Sequence, residues 1–212
     1  MSNFNLILAR KLGLSHGEIL TLKKLKSPQK IQDYISAMPG NLEKNGETLM
    51  SPRLVLQENT CHCFEGALLG SLTLWLHGYE PLIVDMQSKK YDFDHVIAVF
   101  KQNGYWGAIS KTNHAINRFR DPIYKSLREL MMTYFHEFYM SNSGEKTLLA
   151  YSEPFNLKML KGRNWVTQIE PLWYLDQELN KVPHLPFVLN DKIKLRPADK
   201  FERIVTDRTE YK

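Results

Sequence analysis

Cysteine is almost missing from this chain: its 212 residues hold two, Cys61 and Cys63. Side chains one residue apart diverge, and a bridge between them would close a strained ring. No disulfide within the chain is expected, and two free thiols fit a reducing compartment. Long apolar runs are also missing. The most apolar stretch, Gly66 to Leu76, is broken by Gly70, Ser71 and Thr73, short of the roughly 20 apolar residues that span a bilayer. The first ten residues lack the basic start and apolar centre of a secretory signal. A cytoplasmic protein with no membrane partner is expected. There is no internal repeat and no low-complexity tract. The net charge of +5 is mild, and its densest cluster, Lys23, Lys24 and Lys26 with Lys30 behind, reads as a solvated helix face. With no RRM or zinc-finger pattern beside it, no nucleic-acid partner is expected.

What is present suits one folded core. The composition is 43% hydrophobic and 24% charged, and the length fits a single domain over residues 1–212. Residues 1–50 read as a helical N-terminal part. Ser15-His16-Gly17-Glu18 has the form of a capping box. Ser27-Pro28 marks a second helix start, with Ile31, Tyr34 and Ile35 at helical spacing and Pro39-Gly40-Asn41 as its end. Residues 41–52 read as a loop and Leu54-Val55-Leu56 as a short extended piece. Asn59 or Thr60 is expected to cap a helix starting near Cys61 to Cys63. On that helix Cys63, Gly66, Ala67, Gly70 and Leu74 form a stripe of mostly small residues, suited to close packing on a sheet, and Gly78 is the expected stop.

Three strand-like runs follow: 81–86, 95–100 and 105–110. The last two are joined by Lys101-Gln102-Asn103-Gly104, and Asn-Gly is a strong hairpin signal. Within 119–140, Asp121-Pro122 is read as opening a long helix that runs to about Tyr139. Its buried side is Ile123, Leu127, Leu130, Met131, Tyr134, Phe135 and Phe138, and residues 141–144 stop it. Residues 141–212, with Pro154, Pro171, Pro183, Pro186 and Pro197, read as a wrapping C-terminal extension. No βαβ alternation is present. The expected fold is α+β: a cysteine-bearing helix on a small antiparallel sheet, with helical N-terminal and extended C-terminal additions.

The chemistry-bearing candidates are Cys63 and His95. A cysteine attacks as thiolate, and the unpaired N–H groups and partial positive charge of a helix start favour that anion. His95 opens an aliphatic strand on which Ile97 and Val99 share its face. A third group should orient the imidazole, and Ser110, Asn113 and Asp94 are the polar residues close in sequence. The Cys63 N–H and one further donor, from Gln57, Asn59 or His62, would hold an oxyanion. Trp106 reads as core or as a substrate platform. Cys61, His62, Cys63 and His95 as a zinc set are disfavoured, because such sites use Cys-x2-Cys spacing, so no metal or cofactor is expected. Cys61 points elsewhere or acts as a redox neighbour. His114, His136 and His184 have no matching cysteine pattern.

Cys63 followed by Gly66-Ala67, Leu74 and Gly78-Tyr79-Glu80-Pro81, with Gly78 fifteen residues after the cysteine, resembles the Cys-helix of the transglutaminase-like superfamily. His95 at the start of an aliphatic strand and Trp106 on the next continue the resemblance, which covers residues 53–115. Residues 106–114 and Arg120-Asp121-Pro122-Ile123-Tyr124 are similar to uncharacterised bacterial proteins of this type. The resemblance implies a papain-like core, a Cys-His-Asp triad and acyl transfer on a peptide, protein or small amide, with hydrolysis favoured over cross-linking. One position departs: the family's aspartate, four residues after the tryptophan, is Ser110 here. Asn113 is the alternative third member. The expected function is a cysteine hydrolase or acyltransferase; the alternative is a non-catalytic binding or scaffold protein with a degenerate triad.

Overall fold

Helix α5 (Cys63–Leu76) lies at the centre of the molecule, and twelve of its residues are buried. The computed structural model describes residues 4–44, 46–190, 192–206 and 208–210. Ahead of α5 come α1 (Leu6–Lys11), α2 (His16–Lys24), α3 (Pro28–Ser36) and α4 (Pro52–Glu58). Local signals set these starts. Ser15 Oγ accepts from the Glu18 N–H while Glu18 accepts from the Ser15 N–H, the reciprocal pair of a capping box. Ser27 Oγ caps α3, with Pro28 in its first turn. The extended piece expected at Leu54–Leu56 is instead the middle of α4. Ser51-Pro52 repeats the Ser27-Pro28 device, and Ser51 Oγ accepts from the Leu54 N–H. Asn59 does not cap α5; it ends α4 with a φ of 52°, a left-handed conformation that asparagine tolerates. His62 is the cap of α5.

Among the described residues the sheet has seven strands: β1 (Leu82–Ser88), β2 (His95–Gln102), β3 (Tyr105–Ile109), β4 (Arg120–Tyr124), β5 (Leu148–Ser152), β6 (Phe155–Asn156) and β7 (His184–Pro186). Their order is β4-β3-β2-β1-β5-β7, with β6 also paired to β1, and every pairing is antiparallel. The fold is therefore α+β. The β2–β3 hairpin closes at Gln102–Tyr105, with Asn103 and Gly104 at φ of 53° and 86°, as a primed two-residue turn requires. Strand β2 is buried on both faces. Val96, Ala98 and Phe100 join Ile83 and Ile109 under α5. Ile97 and Val99 join Val84, Met86 and Ala108 under α6 (Leu127–Phe135), against Leu130, Met131, Tyr134 and Phe135.

The long helix expected from residue 121 is split. Residues 120–124 form edge strand β4, where Pro122 is tolerated because an edge does not need every N–H, and Ile123 is exposed rather than buried. Ser126 then caps α6, which stops at Phe135. Phe138 and Tyr139 are still buried beyond it, and Tyr139 bridges to Lys146 across the turn. The segment after 141 does more than wrap the core. It adds β5, β6 and β7 to the same sheet, with a 3-10 turn (Leu157–Met159) and α7 (Trp173–Leu179) between β6 and β7 and with α8 (Lys200–Thr206) after β7. No described helix is long and apolar enough to cross a membrane.

Candidate active site

The position of Cys63 follows from two glycines. A Cβ on Gly66 would stand 2.7 Å from Lys111 Cβ, and one on Gly70 would stand 3.3 Å from Ile109 Cγ2 and 3.5 Å from Ala98 Cβ. Only residues without side chains let α5 lie this close to β2 and β3. The helix runs along β2, so its first turn arrives at the end of the sheet where β2 begins with His95. Cys63 and His95 both line a cavity of about 250 Å³, with Asn41, Asp94, Asn113 and Asn117 among its other walls.

The Cys63 thiol shares the cavity wall with two imidazoles, His62 and His95. Burial pushes the thiol up, but the two neighbouring rings hold it well below the ordinary cysteine range. A thiolate is the reactive form, and Cys63 occupies the first helical position, where backbone N–H groups have no helical partner.

His95 is buried, and its Nε2 lies 2.8 Å from Ser110 Oγ. Ser110 has one hydroxyl proton, and it goes to the Asn117 carbonyl at 2.5 Å. Toward His95 the Ser110 oxygen is therefore an acceptor, so Nε2 carries a proton and donates. Nδ1 is left for the sulfur. Ser110 is itself clamped by Gln32, whose Oε1 accepts from the Ser110 N–H at 2.9 Å and whose Nε2 donates to the Ser110 carbonyl at 2.8 Å. Asn117 holds a φ of 57°, and its N–H donates to Glu137 Oε2 at 2.8 Å.

On the other side of the sulfur, Glu65 is fully buried. It accepts from the Thr48 hydroxyl at 2.8 Å, the Met50 N–H at 2.9 Å, the His62 N–H at 3.0 Å and Asn41 Nδ2 at 3.1 Å. His62 Nε2 is 3.3 Å from Glu65 Oε1. Burial opposes its charge, yet the His62 ring and these donors hold Glu65 at about 2. His62 caps α5 by accepting from the Phe64 N–H at Nδ1, and Glu65 completes the box.

Of the residues singled out by sequence, Cys63, His95 and Ser110 come together. Asn113 lines the cavity, and its carbonyl accepts from the Glu210 N–H. Asp94 also lines it but is held by Ser88, accepting from the Ser88 N–H at 2.7 Å and its hydroxyl at 3.1 Å. Gln57 and Asn59 are exposed on and just after α4 and do not line the cavity. Neither is placed to hold an oxyanion, because the helix they were expected to precede directly is preceded by another helix. Trp106 packs with the α6-side cluster, Lys101 Nζ lying 4.5 Å from its ring centre, and is not a cavity wall. Cys61 is buried 4.0 Å from Met38 Sδ, and burial pushes its thiol up to about 12. Among the described residues no group of three or more His, Cys, Asp or Glu side chains is arranged to hold a metal ion.

Glu65, Gln32 and Asn117 have roles at the site that the sequence reading does not assign. The first has a local signal, since His62 and Glu65 stand at the cap and third positions of a capping box. Gln32 gives a weaker one, a polar residue between Ile31 and Ile35 on a buried helix. A comparison of the chain with protein-family models and with curated proteins finds no match in either.

Proposed function

We propose that this protein is a cytoplasmic cysteine hydrolase or acyltransferase with a papain-like, transglutaminase-like core, acting on an amide bond of a peptide, a protein or a small molecule. One arrangement carries the reading. A thiol at the first turn of a helix, held in the thiolate range, contacts a buried imidazole whose far nitrogen donates to a clamped acceptor beside an open cavity. In this reading the Cys63 sulfur bonds to the substrate carbonyl carbon, and the Cys63 N–H receives the developing oxyanion. The C–N bond breaks as the proton on His95 Nδ1 passes to the leaving nitrogen. Water then adds to the thioester, gives its proton to Nδ1, and the C–S bond breaks to release the acid and the thiolate. An amine in place of water gives transfer.

A second reading is favoured by one observation: a hydroxyl, not a carboxylate, stands behind His95. It is a binding or scaffold protein that keeps the fold without turnover. p-Nitrophenyl acetate separates the two. The enzyme reading expects acetyl transfer to Cys63, seen by peptide mass spectrometry, followed by multiple turnovers that stop in Cys63→Ala and fall in His95→Ala. Acetylation no faster than that of a free thiol, or acetylation without turnover, overturns it.

A further inference from the structure

Phe93 is a wall of the cavity that Cys63 and His95 share. It is 88% exposed, more than any other large apolar side chain among the described residues. A lone exposed apolar residue is ordinary on a surface. This one stands at the candidate site, and the loop that carries it is fixed on both sides. Before it, Asp92 accepts from the buried Thr147 hydroxyl and from the Phe93 N–H at 2.9 Å, and the Asp92 N–H donates to the Lys89 carbonyl at 2.8 Å. After it, Asp94 accepts from the Ser88 N–H at 2.7 Å and the Ser88 hydroxyl at 3.1 Å. The two carboxylates that flank Phe93 therefore hold a large apolar ring in water at the edge of the cavity. Folding leaves its apolar area uncovered, so a molecule in the cavity gains by covering it.

His95 sets which side of the reaction this ring serves. In the proposed mechanism the leaving nitrogen takes its proton from His95, so the leaving group lies on the His95 side of the scissile bond. Phe93 stands two residues before His95, and two residues of chain span at most about 7 Å. The ring is thus tethered to that side. We propose that Phe93 forms the leaving-group subsite, and that the amine component released there is apolar and carries no carboxylate. The inference rests on Cys63 being the nucleophile proposed above. Its second half comes from Asp92 and Asp94, which line the cavity on either side of Phe93, because an anion placed beside two carboxylates is repelled. The cationic wall, Lys111, belongs to the segment after β3, and its Nζ donates to the Met38 carbonyl at 2.5 Å. An internal peptide bond ahead of an apolar residue fits this subsite. The last bond of a chain, whose leaving residue carries the terminal carboxylate, does not.

A subsite that holds a leaving amine also holds an entering one, because transfer to an amine is the reverse of amide cleavage. The test loads Cys63 of the full chain with acetyl from p-nitrophenyl acetate and offers leucinamide, glycinamide and leucine together. In transfer the amine nitrogen bonds to the thioester carbonyl carbon, its proton passes to His95 Nδ1, and the C–S bond breaks to free the thiolate. Mass spectrometry of the acetylated amines gives product ratios within one reaction, each divided by the ratio that the same amines give with the acetyl thioester of a small thiol. Wild type should favour leucinamide over glycinamide by roughly tenfold, the discrimination an apolar pocket commonly gives, and leucinamide over leucine by a comparable factor. Phe93→Ser should bring the first ratio near one and Phe93→Tyr should keep it, while Asp94→Asn should narrow the second. Phe93 is exposed, so its truncation takes no contact from the core. Either ratio near one in wild type, either ratio unmoved by its variant, or turnover by water with no amine product overturns this inference and leaves the enzyme reading standing. A Cys63 acetylated no faster than a free thiol overturns both.

Discussion

The two walls of the cleft are built from opposite materials. The helix-start wall holds His62 against a buried carboxylate and is assembled from a capping box and from the loop at Thr48–Met50, 15 to 17 residues before Glu65. The strand wall holds His95 against a hydroxyl and is assembled from Ser110, Asn117 and the distant Gln32. One wall places a buried carboxylate beside the cleft; the other fixes direction, because the Ser110–Asn117 bond decides which ring nitrogen of His95 bears the proton.

Breaking the strand wall should cost most in turnover. His95→Ala is expected to lower the rate of p-nitrophenyl acetate hydrolysis by roughly 10²–10⁴-fold, the usual contribution of a positioned acid–base group, and steady-state kinetics would show it. Breaking the helix wall should cost most in acid stability. Glu65 sits at about 2 when folded, below its ordinary 4.5, so its contribution is present above the ordinary value and lost as pH falls from there toward 2. That contribution is on the order of 3 kcal/mol. Urea unfolding of wild type should weaken across this window, and Glu65→Gln should flatten the slope there. Gly66→Ala tests both walls at once, since its Cβ must displace Lys111 and lift α5 from the sheet. It should destabilise by about 1–3 kcal/mol and slow Cys63 alkylation. Ser110→Ala leaves His95 Nε2 and the Asn117 carbonyl without a partner. We expect roughly a tenfold loss of turnover with an unmoved alkylation midpoint, which separates direction from charge. Gln57→Ala, exposed and off the cavity, should change neither readout.

Much of the strand wall was legible in the sequence. The Asn103-Gly104 turn fixes the β2–β3 register, and continuing that register past Ala98–Ile109 sets Ser110 opposite Ile97, on the same face as His95. The helix start at Cys63 and its two glycines were legible for the same reason: each is a local signal. What could not be read came from two sources. Gln32 meets Ser110 across 78 residues, and no spacing rule reports a contact that only tertiary packing creates. Residues 54–56 and 120–124 were misread because each is short and next to a proline, Pro52 and Pro122. Proline fits the first turn of a helix and an edge strand equally well, so propensity alone does not choose between them.

The order of the sheet carries one more consequence. Its two outermost members are β4, five residues with Pro122, and β7, three residues with Pro186. A passing polypeptide in search of a hydrogen-bonding template meets, at either rim, a short row interrupted by a residue that has no N–H to give. The buried, apolar β1 and β2 lie inside these rims. Pro122, which made its segment hard to read, is one of the two prolines that blunt the sheet's rims.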